Sequence, residues 1–162
     1  MPDTPASMPI IYAGWHTYQS LLSTALSGLT PDQLTLSATP GLRTIHSLAT
    51  HMIGARARWF HRLMGEGGDE FAALAAWDRS GQPVRTAAEL VSGLEATWAG
   101  MQAAIARWTP AQWDDVFPSG PPYPDVIYTR HWAIWHLIEH DLHHGGEISL
   151  TLGIHGLKAP DL

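Results

Sequence analysis

The chain has 162 residues, a length typical of one domain, and we predict a single domain over residues 1–162. It is 45% hydrophobic and 15% charged, so it has enough apolar residues for a core and does not resemble a disordered tail. Nine basic residues against fifteen acidic ones give a formal charge of -6, which argues against a nucleic-acid partner or an acidic lipid surface.

Four long segments repeat apolar residues every three or four positions, which is the period of an amphipathic helix. The first predicted helix spans about Pro9–Leu29 and is followed by a short helix or turn at 32–36. The second spans about Leu42–Met64, and three glycines just beyond it favour a helix end there.

A short helix is predicted next, at about Glu70–Trp77. The third long helix spans about Thr86–Trp108, and its first residue forms a capping-box pattern with Glu89. Five prolines and a glycine predict a connecting loop over 109–125, and the fourth helix is predicted at about Val126–Leu152. No convincing strand alternation competes with this pattern, so we predict an all-α protein, a four-helix bundle, whose facing helices provide the positions for a site.

The fourth helix carries histidines at a spacing suited to metal binding. In the run WHLIEHDLHHGGEIS, His140 and His144 lie four residues apart and therefore on one helix face. His136 and His140 share this relationship, but His136 and His144 lie about 12 Å apart along the axis, too far to bind one ion. A helical wheel places His140 and His144 beside the apolar arc, which makes them the preferred pair and His136 the reserve. His143 falls on the polar side.

The second helix offers a third ligand. His51 lies at the border of its apolar arc, so a three-histidine site is predicted between the second and fourth long helices. Three protein ligands leave an open coordination position, as in catalytic zinc sites. Neutral imidazoles suit Zn²⁺ first, with Ni²⁺ or Mn²⁺ as alternatives.

Two segments resemble a known family. RTIHSLATHMIGARARWF (43–60) and YTRHWAIWHLIEHDLHHGGEIS (128–149) are similar to the motifs of the second and fourth helices of DinB-like, YfiT-type four-helix-bundle proteins. This resemblance implies that His51, His140 and His144 bind the metal. It also implies a homodimer, and an activity as a metal-dependent hydrolase, a thiol S-transferase or a maleylpyruvate isomerase. Glu147 stands where many members carry glutamine.

These observations lead us to expect a metal-dependent hydrolase or thiol S-transferase that acts on a small molecule. Candidate catalytic residues are Glu147, one turn beyond His144, and His16 on the first helix. Asp141 and Glu139 are candidates to orient a ligating ring. The alternatives are a metal-binding stress or regulatory protein without turnover and a helical interaction domain without a metal.

The remaining expectations follow from residues that the chain lacks. There are no cysteines, which excludes disulfides, thiolate metal sites and a cysteine nucleophile, so any reactive thiol must come from an external low-molecular-weight cofactor. The N-terminal residues do not resemble a signal peptide and no apolar run reaches about 18 residues, so we expect a cytoplasmic protein with no membrane partner.

The wide apolar arc of the fourth helix, flanked by Trp132 and Trp135, also favours a homodimer.

Overall fold

The computed structural model describes residues 8–118 and 127–160, and four long helices dominate it. In chain order the helices are α1 (Met8–Ser27), α2 (Pro31–Leu34), α3 (Ile45–Arg58), α4 (Gly68–Leu74), α5 (Ala87–Arg107) and α6 (Arg130–Ile154). A π-helical turn, Trp59–Leu63, continues α3, and a 3₁₀ turn, Pro110–Asp114, follows α5. The predicted helical bundle is therefore confirmed, with α1, α3, α5 and α6 as its four long members.

Side-chain caps explain where the central helices begin. Thr44 Oγ1 accepts a hydrogen bond from the Ser47 N–H at the start of α3. At the start of α5, Thr86 and Glu89 form the predicted capping box. Each bond satisfies an N–H group that has no partner within the helix, and such caps are worth about 1 kcal/mol.

The directions of the helices follow from residues that meet across the bundle. Arg56 on α3 contacts Asp141 on α6, whereas Trp59, further along α3, contacts the earlier residue Trp132, so these two helices are antiparallel. Trp15 and Tyr18 on α1 reach Asp141 and Leu142 on α6, so those two run parallel.

A small sheet corrects the prediction for the connection before α6. Strands β1 (Val116–Pro118) and β2 (Ile127–Thr129) pair antiparallel, with Val116 opposite Thr129. The prediction that 109–125 is only a loop was therefore wrong, as was a helix start at Val126, a residue that lies outside the described ones. The pairing provides hydrogen-bond partners for backbone N–H and C=O groups of two short segments. The sequence of these segments shows no periodic pattern of apolar residues. The N–H of Trp132 donates to Thr129 Oγ1, which fixes the start of α6 directly after β2 ends.

A buried ion pair crosses the centre of the bundle. The guanidinium of Arg56 donates to both oxygens of Asp141, with the shortest distance 2.7 Å, and both side chains are fully buried. Trp15 Nε1 donates to the same carboxylate at 2.7 Å. Buried charges need such partners, and here the partners connect α1, α3 and α6.

A glycine lets α1 approach α6 closely. A Cβ at Gly145 would lie 2.1 Å from the hydroxyl oxygen of Tyr18, which is itself buried. No helix within 8–118 and 127–160 combines the length and the apolar character that crossing a membrane requires.

Candidate metal centre

Three histidines from two antiparallel helices meet between α3 and α6. His51 faces His140 and His144, and one ring nitrogen of each lies within 4.8 Å of those of the other two. The Nε2 atoms of His51 and His140 are 3.2 Å apart. The ring centroids of His140 and His144 lie 4.4 Å apart, as expected for residues one turn apart on α6.

The spacing of these nitrogens fits a transition-metal ion. Two nitrogens bound to one tetrahedral Zn²⁺ at about 2.0–2.1 Å lie about 3.3 Å apart, close to the distance between the Nε2 atoms of His51 and His140. All three side chains are partly buried, which shields the cluster while leaving access from solvent. Three imidazoles without a carboxylate among them form a donor set that suits Zn²⁺ and Ni²⁺.

Asp78 fixes the orientation of His51. Its Oδ2 lies 2.9 Å from Nδ1 of His51, and its two oxygens also accept bonds of 2.5 and 2.8 Å from Arg58. A carboxylate on Nδ1 leaves the Nε2 lone pair directed at the ion, as in carboxylate–histidine–zinc arrangements. Gly54 makes room for this contact, because a Cβ there would lie 2.9 Å from Oδ1 of Asp78.

Glu147 holds His144 in a similar way. Its Oε2 lies 2.6 Å from Nδ1 of His144, which leaves Nε2 of that ring available for a ligand. His143, His144 and Glu147 also form a second cluster of possible ligands, in which His143 is 70% exposed. We favour the three-histidine cluster because it is more buried and because Asp78 orients His51.

The surroundings of His51 and His140 favour the neutral form of these two rings. Burial, followed by the neighbouring rings of His144 and His51, lowers the pKa of His140 to about 3. Burial also lowers the pKa of His51, an effect that the hydrogen bond donated by its Nδ1–H to Asp78 opposes only in part. Burial alone would raise the pKa of Asp78, but its bonds to Arg58 and His51 outweigh this and lower it. Neutral imidazole is the form that binds metal, so the lowered pKa values of His51 and His140 favour metal binding.

The other residues suggested by the sequence lie outside the cluster. His136 packs against Trp132 and Trp59 and pairs with Glu139, and neither His136 nor Glu139 belongs to the cluster of His51, His140 and His144. His16 is exposed and its ring stacks on Trp98.

The suggestion that Asp141 orients a ligating ring was wrong, because both of its oxygens bind Arg56 and one also accepts from Trp15. Sequence reasoning missed Asp78, which performs this role for His51 from the irregular segment after α4. A possible signal was Gly54, since a glycine inside a helical pattern often marks a close approach of another group.

Solved structures place the fold in a known class. A DinB-like protein from Bacillus cereus is 18% identical, with a TM-score of 0.72, and the match covers 96% of this chain and 97% of that one. A conserved protein from Enterococcus faecalis is 14% identical, with a TM-score of 0.66, and the match covers 93% and 99%. At these identities the likeness establishes the fold, a DinB-like helical bundle. None of the curated proteins matches the chain.

The family follows from the sequence itself. The model of the mycothiol-S-transferase family matches residues 16–151, which include α3, α5 and the three histidines between α3 and α6. The chain therefore belongs to the mycothiol-S-transferase family, within the DinB-like group that its sequence resembles.

Proposed function

We propose that this protein is a metal-dependent thiol S-transferase, which joins a low-molecular-weight thiol of the mycothiol class to a small electrophile. The observation that carries the proposal is the 3.2 Å distance between Nε2 of His51 and Nε2 of His140, with His144 beside them, in a member of this family. We propose Zn²⁺ as the ion, with Ni²⁺ and Mn²⁺ as alternatives to be tested.

The reacting thiol must come from outside the chain, because the sequence has no cysteine. When bound to the three imidazoles, a divalent ion supplies positive charge that favours the thiolate form of a thiol. The thiolate sulfur forms a bond to the electrophilic carbon, and the bond from that carbon to its leaving group breaks. The thiol proton must be accepted nearby.

Glu147 is our candidate for the proton acceptor. It is partly exposed, and the Oε2 atom that contacts Nδ1 of His144 fixes the carboxylate beside the cluster while leaving the other oxygen for the thiol. Asp78 keeps Nε2 of His51 directed at the ion. We propose no catalytic role for His16, since its ring stacks on Trp98 of α5.

The test is thiol transfer by protein purified without a histidine tag and loaded with one metal at a time. Mycothiol and 1-chloro-2,4-dinitrobenzene are the substrates, and thioether formation is followed by absorbance. Because the chain has no cysteine, this electrophile cannot arylate a protein thiol and confuse the signal. We expect metal-dependent turnover that His51→Ala and His144→Ala abolish and that the exposed-site variant His143→Ala retains.

Other outcomes of these assays would favour one of the alternative functions. Hydrolysis of ester or amide substrates without thiol transfer would favour a metal-dependent hydrolase. Stoichiometric metal without turnover of either kind would favour a metal-binding stress or regulatory protein.

The cytoplasm is the compartment in which we propose that the reaction takes place, because its thiols are kept reduced.

We also propose a homodimer formed through the outer face of α6. Trp135 and Leu142 are 59% and 47% exposed and lie on the same side of that helix, seven residues apart. Exposed apolar patches of this kind mark interfaces. Light scattering at micromolar concentration tests the proposal, and a monomer there would contradict it.

A further inference from the structure

An aromatic shelf next to the three histidines has no role in the reaction as proposed so far. It consists of Trp59, Tyr128 and Trp132, and it ends at His136. We infer that this shelf is a stacking subsite for a planar, uncharged part of the electrophile. The inference deepens the proposed thiol transfer and rests on it for the identity of the ligand as a substrate.

The rings of the shelf contact one another from three different elements. Trp59 begins the π-helical turn after α3, Tyr128 lies in β2 and Trp132 lies in the first turn of α6. Their centroids are separated by 5.1 Å between Trp59 and Tyr128, 5.3 Å between Trp59 and Trp132, and 4.3 Å between Tyr128 and Trp132. These separations are typical of aromatic contacts, so the shelf is preformed.

The shelf is continuous with the metal-binding cluster. Trp132 stacks on His136 at 5.0 Å with an angle of 14° between the rings, and His136 lies 5.8 Å from the ring of His140. A hydrogen bond of 2.9 Å between Nδ1 of His136 and Glu139 holds this connecting ring. A molecule resting on Trp132 would therefore have its other end near His140, one of the proposed metal ligands.

A cleft meets the shelf at His136, where the shelf ends. It has a volume of about 420 Å³ and is lined by His136, Glu139, His140 and His143. Trp132 is 40% exposed, so part of its side chain is accessible to a ligand that extends from this cleft. The π-helical turn at Trp59 agrees with this reading, because such turns occur frequently at functional sites.

The charges favour an uncharged planar ligand over a cation. Glu139, three residues after His136 on α6, is already paired with the ring of His136. The exposed part of the Trp132 side chain then offers an aromatic contact and apolar burial to a flat molecule. A positively charged ion in the neighbouring cluster would oppose a cationic ligand.

Direct binding of an unreactive probe tests the subsite. The probe is 1,3-dinitrobenzene, which is planar and neutral, and the comparison ligands are nitrocyclohexane, which is not planar, and tetramethylammonium, which is cationic. Dissociation constants are measured on the full chain by NMR titration. We expect 1,3-dinitrobenzene to bind more tightly than either comparison ligand.

Two variants of α6 locate the binding. Trp132→Leu should weaken binding of 1,3-dinitrobenzene by about three- to tenfold, the loss expected for one aromatic contact. Trp135→Leu is the matched control, because Trp135 is 59% exposed on the same helix but lies on its outer face, and it should bind as the wild type does. Trp132→Phe keeps a ring and should retain most of the affinity, provided that thermal unfolding shows all three variants folded.

Three results would overturn the subsite. They are equal losses in Trp132→Leu and Trp135→Leu, equal affinity for the planar and non-planar probes, and preferential binding of tetramethylammonium. Failure of the proposed function would differ, since the metal-loaded wild-type protein would then bind the probe without catalysing thiol transfer. Conversely, thiol transfer with an unchanged KM for 1-chloro-2,4-dinitrobenzene in Trp132→Leu would sink the subsite alone.

Discussion

Asp78 contacts Nδ1 of His51 at 2.9 Å, and this contact turns the other ring nitrogen of His51 toward His140. The carboxylate is itself held by two bonds from Arg58, the last residue of α3. A residue 27 positions along the chain from His51 therefore determines which nitrogen of that ring can bind an ion. The candidate centre includes this outer carboxylate as well as the three imidazoles.

Removing the charge of Asp78 should weaken the metal site while leaving the three histidines in place. We predict that Asp78→Asn lowers Zn²⁺ affinity about 10–100-fold, the usual effect of losing an outer carboxylate on a ligating histidine. Competition with a chromogenic chelator measures the change. Asp69→Asn, an exposed acidic residue at the start of α4, is the control and should bind Zn²⁺ like the wild type. Unchanged affinity in Asp78→Asn would mean that the contact has no part in metal binding.

A methyl group at Gly54 should disturb the same contact from inside α3. Its Cβ would lie 2.8 Å from Nη1 of Arg58 and 2.9 Å from Oδ1 of Asp78, so the ion pair must shift. We predict lower Zn²⁺ affinity for Gly54→Ala in the same chelator competition.

Gly14→Ala in α1 is the matched helical control, because its Cβ would meet no atom within 4 Å. It should stabilise the protein by about 0.5–1 kcal/mol and leave the affinity unchanged. Equal affinities in the two variants would show that Gly54 is not needed for the position of Asp78.

The buried pair of Arg56 and Asp141 should dominate the stability of the bundle. Arg56→Met leaves the Asp141 carboxylate buried without its cation, which costs about 3–5 kcal/mol in comparable pairs. Urea unfolding measures the free energy of unfolding. The double variant Arg56→Met/Asp141→Leu removes both charges and should recover part of the loss. If the double variant lost as much free energy of unfolding as the two single variants lose together, the result would argue against a charge effect.

His46, near the start of α3, should contribute to the pH dependence of the protein's stability. His46 Nε2 accepts a hydrogen bond of 2.9 Å from the backbone N–H of Arg85, and burial, followed by the charge of Arg85, lowers the pKa of His46 from its ordinary 6.5. The folded state thus binds fewer protons than the unfolded state, so the stabilisation is present above pH 6.5 and is lost as the pH falls toward the lower folded pKa.

Thermal unfolding of metal-free protein between about pH 8 and about pH 5 checks this sign. The lowered pKa values of His51 and His140 act in the same direction, so His46→Gln is needed to isolate one contribution. We expect the variant to lose less thermal stability on acidification than the wild type does. An identical pH dependence in the two proteins would exclude a contribution from His46.

The three histidines could be predicted because regular helices position them. The spacing of four between His140 and His144 fixes their common face, and the apolar arc of the second long helix turns His51 inward. Helix geometry also explains why His136 and His144 cannot share an ion. Local periodicity therefore predicted which rings the structure brings together, even though the contact joins residues 89 positions apart.

Asp78 and the small sheet could not be predicted in the same way. Asp78 lies in an irregular segment, where no period relates sequence position to direction, and only its tertiary contact with Arg58 places it beside His51. Strands β1 and β2 have three residues each, too short to show an alternation. Asp141 was a candidate to orient a ligating ring, but the periodicity of α6 does not reveal that the buried guanidinium of Arg56 takes this carboxylate as its partner.

The measurement that tests the central claim most directly is the metal content of protein purified without a histidine tag and offered Zn²⁺ or Ni²⁺. Elemental analysis should find about one equivalent of transition metal per chain in the wild type and in His136→Ala, since three imidazoles form one site. Each of His51→Ala, His140→Ala and His144→Ala should lose most of it. Less than about a tenth of an equivalent in the wild type, or full retention in all three of those variants, would contradict a metal centre at the three histidines.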